Sequence, residues 1–233
     1  MNPRTLDHVA FWTDARGEIA EFVVSQLGMH IIEETDRFTL VGRDARRGKL
    51  TLFDAEGPRD PGALVHVALR VSDLAAAAAG LSDDLPATEV LGGLALEAPG
   101  GLSLRLVEAP TDSELDLDHV ALGSGDPSDA AAAYTRLGFA PAAAGPDGHP
   151  RVEVGGAFVE LRPGGAGAEP ERPLLNHLAV LVDSAEAHRD EAETLGVEID
   201  DWVDAPNTLA VFLRGPDGVR IEYVEHKPTF SLV

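Results

Sequence analysis

The chain contains no cysteine, which removes disulfides, thiolate metal ligands and cysteine nucleophiles together. No apolar run approaches the roughly 18 residues that a membrane-spanning helix needs. Positive charge is scarce: Lys and Arg total 18 against 40 Asp and Glu, for a formal net charge of −22. That balance speaks against nucleic acid, whose binding rests on neutralising phosphates with Lys and Arg. It fits a soluble chain repelled by anionic surfaces, and basic partners or cationic small molecules remain compatible with it. Only Lys49 and Lys227 represent lysine, and no function follows from that. The opening Met1-Asn2-Pro3-Arg4-Thr5 runs into an alternating strand pattern without the apolar segment of a secretory signal, so the expected location is the cytoplasm. The 233 residues, 44% of them hydrophobic, suffice for one large domain or two of about 110 residues each.

What the sequence does contain is a repeat. The phrases His8-Val9-Ala10-Phe11, His66-Val67-Ala68-Leu69, His119-Val120-Ala121-Leu122 and His177-Leu178-Ala179-Val180 begin 58, 53 and 58 residues apart. Each is followed by a helical stretch that runs to Gly28, Gly80, Gly138 or Gly196, the usual stop just past a last turn. In the third copy Ser128 is the expected N-cap, with Asp129 favouring the positive end. Three short strands with Gly- and Pro-rich turns come next. In the fourth copy they are expected near Val197–Trp202, Thr208–Leu213 and Val219–Val224, with the last hairpin turning at Gly215-Pro216-Asp217-Gly218. The unit is β–α–β–β–β, about 55 residues long. Linkers fall at Ala55–Ala63, Ala109–Asp116 and Arg162–Pro173. The second of these is the expected boundary between an N-terminal domain, residues 1–110, and a C-terminal domain, residues 115–233.

Chemistry is expected on the first and last strands of each copy. Side chains alternate along a strand, so His119 shares a face with Ala121, and His177 with Ala179, leaving room beside each imidazole. On the last strands Glu160 and Glu222 occupy equivalent positions, and carboxylates seldom sit in such strands without a partner. His119, Glu160, His177 and Glu222 thus form a mixed nitrogen and oxygen set for one divalent ion: Fe, Mn, Co, Ni or Zn. The equivalents in the first two copies are His8, a position near Phe53, His66 and Arg105. The carboxylates are lost there, so the N-terminal pair is expected to hold no metal, although Arg105 could face an anionic group. His149 precedes a strand on a turn, His226 lies where it could support a ligand, and Tyr223 faces away from Glu222 to pack.

These residues resemble the vicinal oxygen chelate superfamily: the βαβββ modules, His on the first strand, Glu on the last, and the closing stretch Gly215-Pro216-Asp217-Gly218-Val219-Arg220-Ile221-Glu222. The resemblance implies an α+β fold of four βαβββ modules paired into two cup-shaped half-barrels, the glyoxalase/bleomycin resistance/dihydroxybiphenyl dioxygenase-like fold. It also implies a metal that a small-molecule substrate chelates through neighbouring oxygens. Two enzymatic branches are implied. In the glyoxalase and epimerase branch all four ligand positions are filled, the metal acts as a Lewis acid, and Glu222 or Glu160 moves a proton. In the extradiol dioxygenase branch the ligands map to His119, His177 and Glu222. There Phe212 replaces the signature Tyr, Gly215 replaces a residue that is commonly acidic or an amide, and Val203–Leu209 lacks the upstream histidine. A third reading is a metal-free binding protein of the bleomycin-resistance kind. The expectation taken forward is Lewis-acid proton transfer on a small molecule, in a monomer or homodimer, with no nucleic-acid or membrane partner.

Overall fold

The computed structural model describes residues 1–164 and 170–233; the middle of the expected Arg162–Pro173 linker lies outside them. Four βαβββ modules follow one another. The first comprises β1 (Thr5–Thr13), α1 (Arg16–Leu27), β2 (His30–Glu34), β3 (Phe38–Asp44) and β4 (Arg47–Asp54). The second comprises β5 (Leu64–Val71), α2 (Leu74–Ala79), β6 (Ala87–Val90), β7 (Gly93–Ala98) and β8 (Leu102–Glu108). The third has β9 (Asp116–Ser124), α3 (Pro127–Arg136), β10 (Ala140–Ala142), β11 (Arg151–Val154) and β12 (Ala157–Pro163). The fourth has β13 (Leu175–Leu181), α4 (Ala185–Leu195), β14 (Ile199–Asp204), β15 (Thr208–Arg214) and β16 (Arg220–His226).

The helix ends explain the repeat's punctuation. Gly28 and Gly196 cap α1 and α4 in the left-handed conformation, at φ 65° and 67°, where a Cβ would be strained. Gly80 instead stays right-handed after α2, a six-residue helix that buries none of its side chains and needs only a loose stop. The N-cap of α3 is Asp126 rather than Ser128. Its carboxylate accepts from the backbone N–H of Ser128 and of Asp129, and Pro127 fills the first helical position, where a missing N–H costs nothing.

The strands form two eight-stranded sheets. One runs β14-β15-β16-β13-β1-β4-β3-β2 and the other β10-β11-β12-β9-β5-β8-β7-β6. The module partners therefore differ from the expected ones. Module one joins module four through antiparallel β1 and β13, and module two joins module three through antiparallel β5 and β9. The expected pairs, one with two inside residues 1–110 and three with four inside residues 115–233, do not form. The linkers show why. Nine residues, Ala55–Ala63, link β4 to β5, and this segment runs beside the one entering β13: Asp60 N–H donates to Arg172 O, and Leu174 N–H donates to Asp60 O. Both crossings carry the chain from one sheet to the other, whereas the short Ala109–Leu115 link keeps β8 and β9 in the same sheet.

Alternation divides each strand between a cup and a core. His8, Ala10 and Trp12 point one way from β1, while Val9 and Phe11, fully buried, point the other. The residues behind both sheets merge into one hydrophobic core that includes Val9, Leu50, Val67, Leu104, Val120 and Val180. Tyr223 belongs to it as expected, and its hydroxyl donates to Leu137 O at 2.6 Å, tying module four to module three. Among the described residues no helix is long and apolar enough to cross a membrane.

Candidate metal centre

Strand register fixes which side chains meet in each cup. Across β13 and β16, Ala179 pairs with Glu222, and across β9 and β12, Ala121 pairs with Glu160. The same step pairs Ala68 with Arg105 and Ala10 with Thr51. The fourth repeat position in module one is therefore Thr51, not the expected Phe53, which lies two residues further along β4 on the same face. One cup holds His8, Thr51, His177 and Glu222; the other holds His66, Arg105, His119 and Glu160.

The expected set His119, Glu160, His177 and Glu222 is thus divided between the sheets. His177 and Glu222 meet His8. Glu222 Oε2 lies 3.1 Å from His8 Nε2 and 3.0 Å from His177 Nε2, and the two Nε2 atoms lie 3.1 Å apart. Among the described residues this is the one His and carboxylate group whose donor atoms converge in this way. Donors about 2.1 Å from one ion and at right angles around it lie about 3.0 Å apart, and a tetrahedral angle would spread them to about 3.4 Å. The observed triangle fits one face of an octahedron, which leaves the opposite face for other ligands.

The far side of each imidazole is held as a metal site requires. His8 Nδ1 donates to Asp7 Oδ2 at 2.8 Å, and His177 Nδ1 donates to Asn176 Oδ1 at 2.9 Å. Both bonds turn Nε2 toward Glu222 and fix the ring orientation. Asp7 is itself buried and anchored: Lys49 Nζ lies 3.0 Å from Oδ1 and 2.9 Å from Oδ2, and His226 Nε2 lies 3.2 Å from Oδ1. His226 thus supports a ligand, through Asp7 and His8. The signal for Asp7 and Asn176 was in the sequence, since an acid or amide directly precedes each of these histidines.

Electrostatics follow from that packing. Burial alone would lower the pKa of His8, but its hydrogen bonds to Asp7 and Glu222 push it up to about 9. Burial would raise Glu222, yet its close contacts with the His177 and His8 rings hold its carboxyl far below the usual range. Burial lowers His177, and the Glu222 charge offsets only part of that. Burial would likewise raise Asp7, but Lys49, His226 and His8 keep it ionised well below its ordinary value. Both shifts favour a charged pair, the His8 imidazolium beside the Glu222 carboxylate.

Aromatic rings wall this cup. The Phe212 ring meets His177 edge-on at 5.1 Å, and Phe53 lies 6.4 Å from His177 while packing on Trp12 and Phe38 at 5.3 and 5.7 Å. The second cup is polar instead. Both Glu160 oxygens are taken by arginines: Arg151 Nε and Nη2 donate to Oε2 at 2.8 and 2.5 Å, and Arg162 Nε and Nη2 donate to Oε1 at 2.8 and 2.6 Å. A carboxylate so occupied has no lone pair aimed at a metal. His119 Nε2 lies 3.0 Å from His66 Nε2 and its ring stacks on Phe158.

Paired βαβββ modules curl around a cup in which His8, His177 and Glu222 could hold a metal ion. The family model described as the Glyoxalase/Bleomycin resistance protein/Dioxygenase superfamily matches residues 5–85 and 116–223, and the chain belongs to that superfamily. A putative dioxygenase from Bacillus subtilis subsp. subtilis str. 168 is 18% identical at a TM-score of 0.80, covering 98% of this chain and 87% of its own. Glyoxalase I from Zea mays is 16% identical at a TM-score of 0.74, with 95% and 92% covered. The cppA protein from Streptococcus pneumoniae TIGR4 is 13% identical at a TM-score of 0.61, with 97% and 100% covered. At these identities the likeness is one of fold. A comparison with curated proteins found no match.

Proposed function

We propose that the chain is a divalent-metal-dependent enzyme whose ion is held by His8, His177 and Glu222, and that it performs ring-cleaving dioxygenase chemistry on an aromatic diol. The observation that carries this reading is the triangle of three donor atoms with sides of 3.0–3.1 Å. A face of two histidines and one carboxylate with open positions opposite is the arrangement suited to non-haem iron and oxygen.

The bound ion would supply Lewis acidity toward two neighbouring substrate oxygens and a route for electrons to dioxygen. The chain's own groups do the rest. Asp7 and Asn176 hold the two imidazoles with Nε2 forward. Phe53 and Phe212 offer flat apolar walls to an aromatic ring and keep water from it. Thr51 places a hydroxyl on the cup face at the repeat position of Glu222.

The glyoxalase-like alternative needs a free base beside the metal. Thr51 stands where a second glutamate would serve, and Glu160 lies in the other sheet between two arginines. Glu222 would have to be both ligand and base, which weighs against that reading.

The test uses full-length protein stripped of metal and reloaded anaerobically with Fe(II) or Mn(II). On mixing with catechol and air, oxygen uptake and a coloured ring-cleavage product are expected, both lost in Glu222→Gln. A protein that carries one ion per chain yet takes up no oxygen with catechols would overturn the oxygenase step and restore the proton-transfer reading.

A further inference from the structure

The second cup inverts the charge of the first. Its repeat positions bring together His66, His119, Glu160 and Arg105 on the concave face of the sheet. Arg151 and Arg162 neutralise Glu160 from both sides. Three guanidiniums, Arg105, Arg151 and Arg162, gather at the Glu160 carboxylate, with Asp147 the other acidic group near Arg105, in a chain whose formal net charge is −22. Arg105 is the one that no carboxylate contacts directly, since Glu160 and Asp147 act on it only at longer range. It is half-buried on β8, and among the described residues it makes no hydrogen bond or ion pair. An arginine partly withdrawn from water without a partner is costly, and a chain so rich in Asp and Glu could readily have supplied one.

Two imidazoles stand beside it in contact with each other. His119 Nδ1 lies 2.6 Å from Asp118 Oδ1, and His119 Nε2 lies 3.0 Å from His66 Nε2. Burial, with Arg105, His119 and Arg162 nearby, pushes the pKa of His66 down to about 3. His66 Nδ1 is buried with no partner, because Val65 stands where Asp7, Asp118 and Asn176 precede the other three repeat histidines. Module two has thus lost both the carboxylate ligand and the group that would orient the histidine, and has gained a cation in their place.

We propose that this second cup is a binding site for the oxyanion group of a small molecule, with Arg105 as its anchor and Arg162 beside it. A guanidinium fork meets carboxylate and phosphate oxygens in the same bidentate manner, so the shared chemistry is a compact oxyanion. Nothing in this assignment depends on the reaction at the first cup.

The test is calorimetric titration of the full-length protein at low ionic strength with inorganic phosphate and, separately, with succinate. Saturable binding of at least one is expected, weakened at least tenfold in Arg105→Gln and unchanged in Arg136→Gln, an exposed arginine on α3. Binding of phosphate alone or succinate alone would identify the group; neither saturating, or Arg105→Gln binding as the wild type does, would overturn the site. Should Arg105→Gln not fold, arginine side-chain NMR of the wild type decides. One Nε–H resonance must shift and saturate with the anion, and a spectrum unmoved by either anion overturns the proposal.

Discussion

His8 Nε2 and His177 Nε2 lie 3.1 Å apart although 169 residues of chain separate them. That contact exists because β1 and β13 are antiparallel neighbours, with Ala10 opposite His177 and His8 opposite Ala179. It makes a sharp prediction. Substituting His8 by Ala should abolish metal retention as fully as His177→Ala, while His119→Ala should leave metal content near the wild-type level. Plasma mass spectrometry of the three purified variants measures this, and metal loss in His119→Ala alone would contradict the assignment.

Metal uptake should release protons. His8 holds its proton up to about pH 9 in the metal-free centre, and an ion bound at Nε2 must displace it. Near pH 7.5 about one proton per ion should leave, read by titrating the metal in buffers of different ionisation enthalpy. Apparent affinity should accordingly rise with pH until it levels above 9. An affinity flat between pH 7 and 9 would place the ion elsewhere.

At the proposed metal site Asp7 would act on the ion through His8, to which it is hydrogen-bonded. Asp7→Asn can still accept a hydrogen bond from His8 but loses the charge, and a drop in metal affinity of about 10- to 100-fold is expected. Asp7→Ala also strands the buried Lys49 ammonium, whose remaining partner is Ala45 O at 2.8 Å. A stability loss of about 3–5 kcal/mol is expected for that variant, measured by urea unfolding of metal-free protein. Equal stability of the Asn and Ala variants would show that Lys49 does not depend on Asp7.

The second cup should weaken in acid. His66 has a folded pKa near 3, depressed from 6.5. Its neutral burial therefore contributes stability in full above pH 6.5, and that contribution falls as pH drops toward 3. Glu160 behaves alike at lower pH: burial opposes its charge, but Arg151 and Arg162 hold its pKa down to about 2 from 4.5. Its contribution is complete above 4.5 and is lost on the way to 2. Between pH 7 and 5, His66→Gln should therefore lose less stability than the wild type, as followed by urea unfolding in chelator. A variant that falls as steeply as the wild type would exclude His66 as a source of the acid lability.

Much of this fold was legible because each module repeats the same physical solution: a helix stop, three short strands, and a histidine beside small residues. Two of the site residues, His177 and Glu222, were equally legible, since one strand step links them by register. Partner choice was not. Every module offers a first strand of similar length, seven to nine residues, with the same His-x-Ala pattern, so alternation identifies the cup face without saying which copy completes it. His8 belongs to a copy that has lost its carboxylate, which points away from a metal until β1 is placed beside β13 and Glu222, and Glu160 looks like a ligand until Arg151 and Arg162 are placed on it. Two signals did bear on the outcome. The spacing of 53 residues between the second and third repeats, against 58 for the other two, marks the junction that stays within one sheet. Asp or Asn before three of the four histidines, and Val65 before the fourth, marks where an imidazole is oriented and where it is not.

The interlaced pairing of modules has a consequence for any attempt to divide the chain. A cut in the Ala109–Leu115 link would leave His8 on one fragment and His177 with Glu222 on the other, and would separate β5 from β9 in the second sheet as well. Neither piece holds a complete cup. Metal held at the proposed centre would therefore report on the docking of the two halves as well as on its chemistry, and restoring it by mixing separately made fragments would be a direct readout of their reassembly.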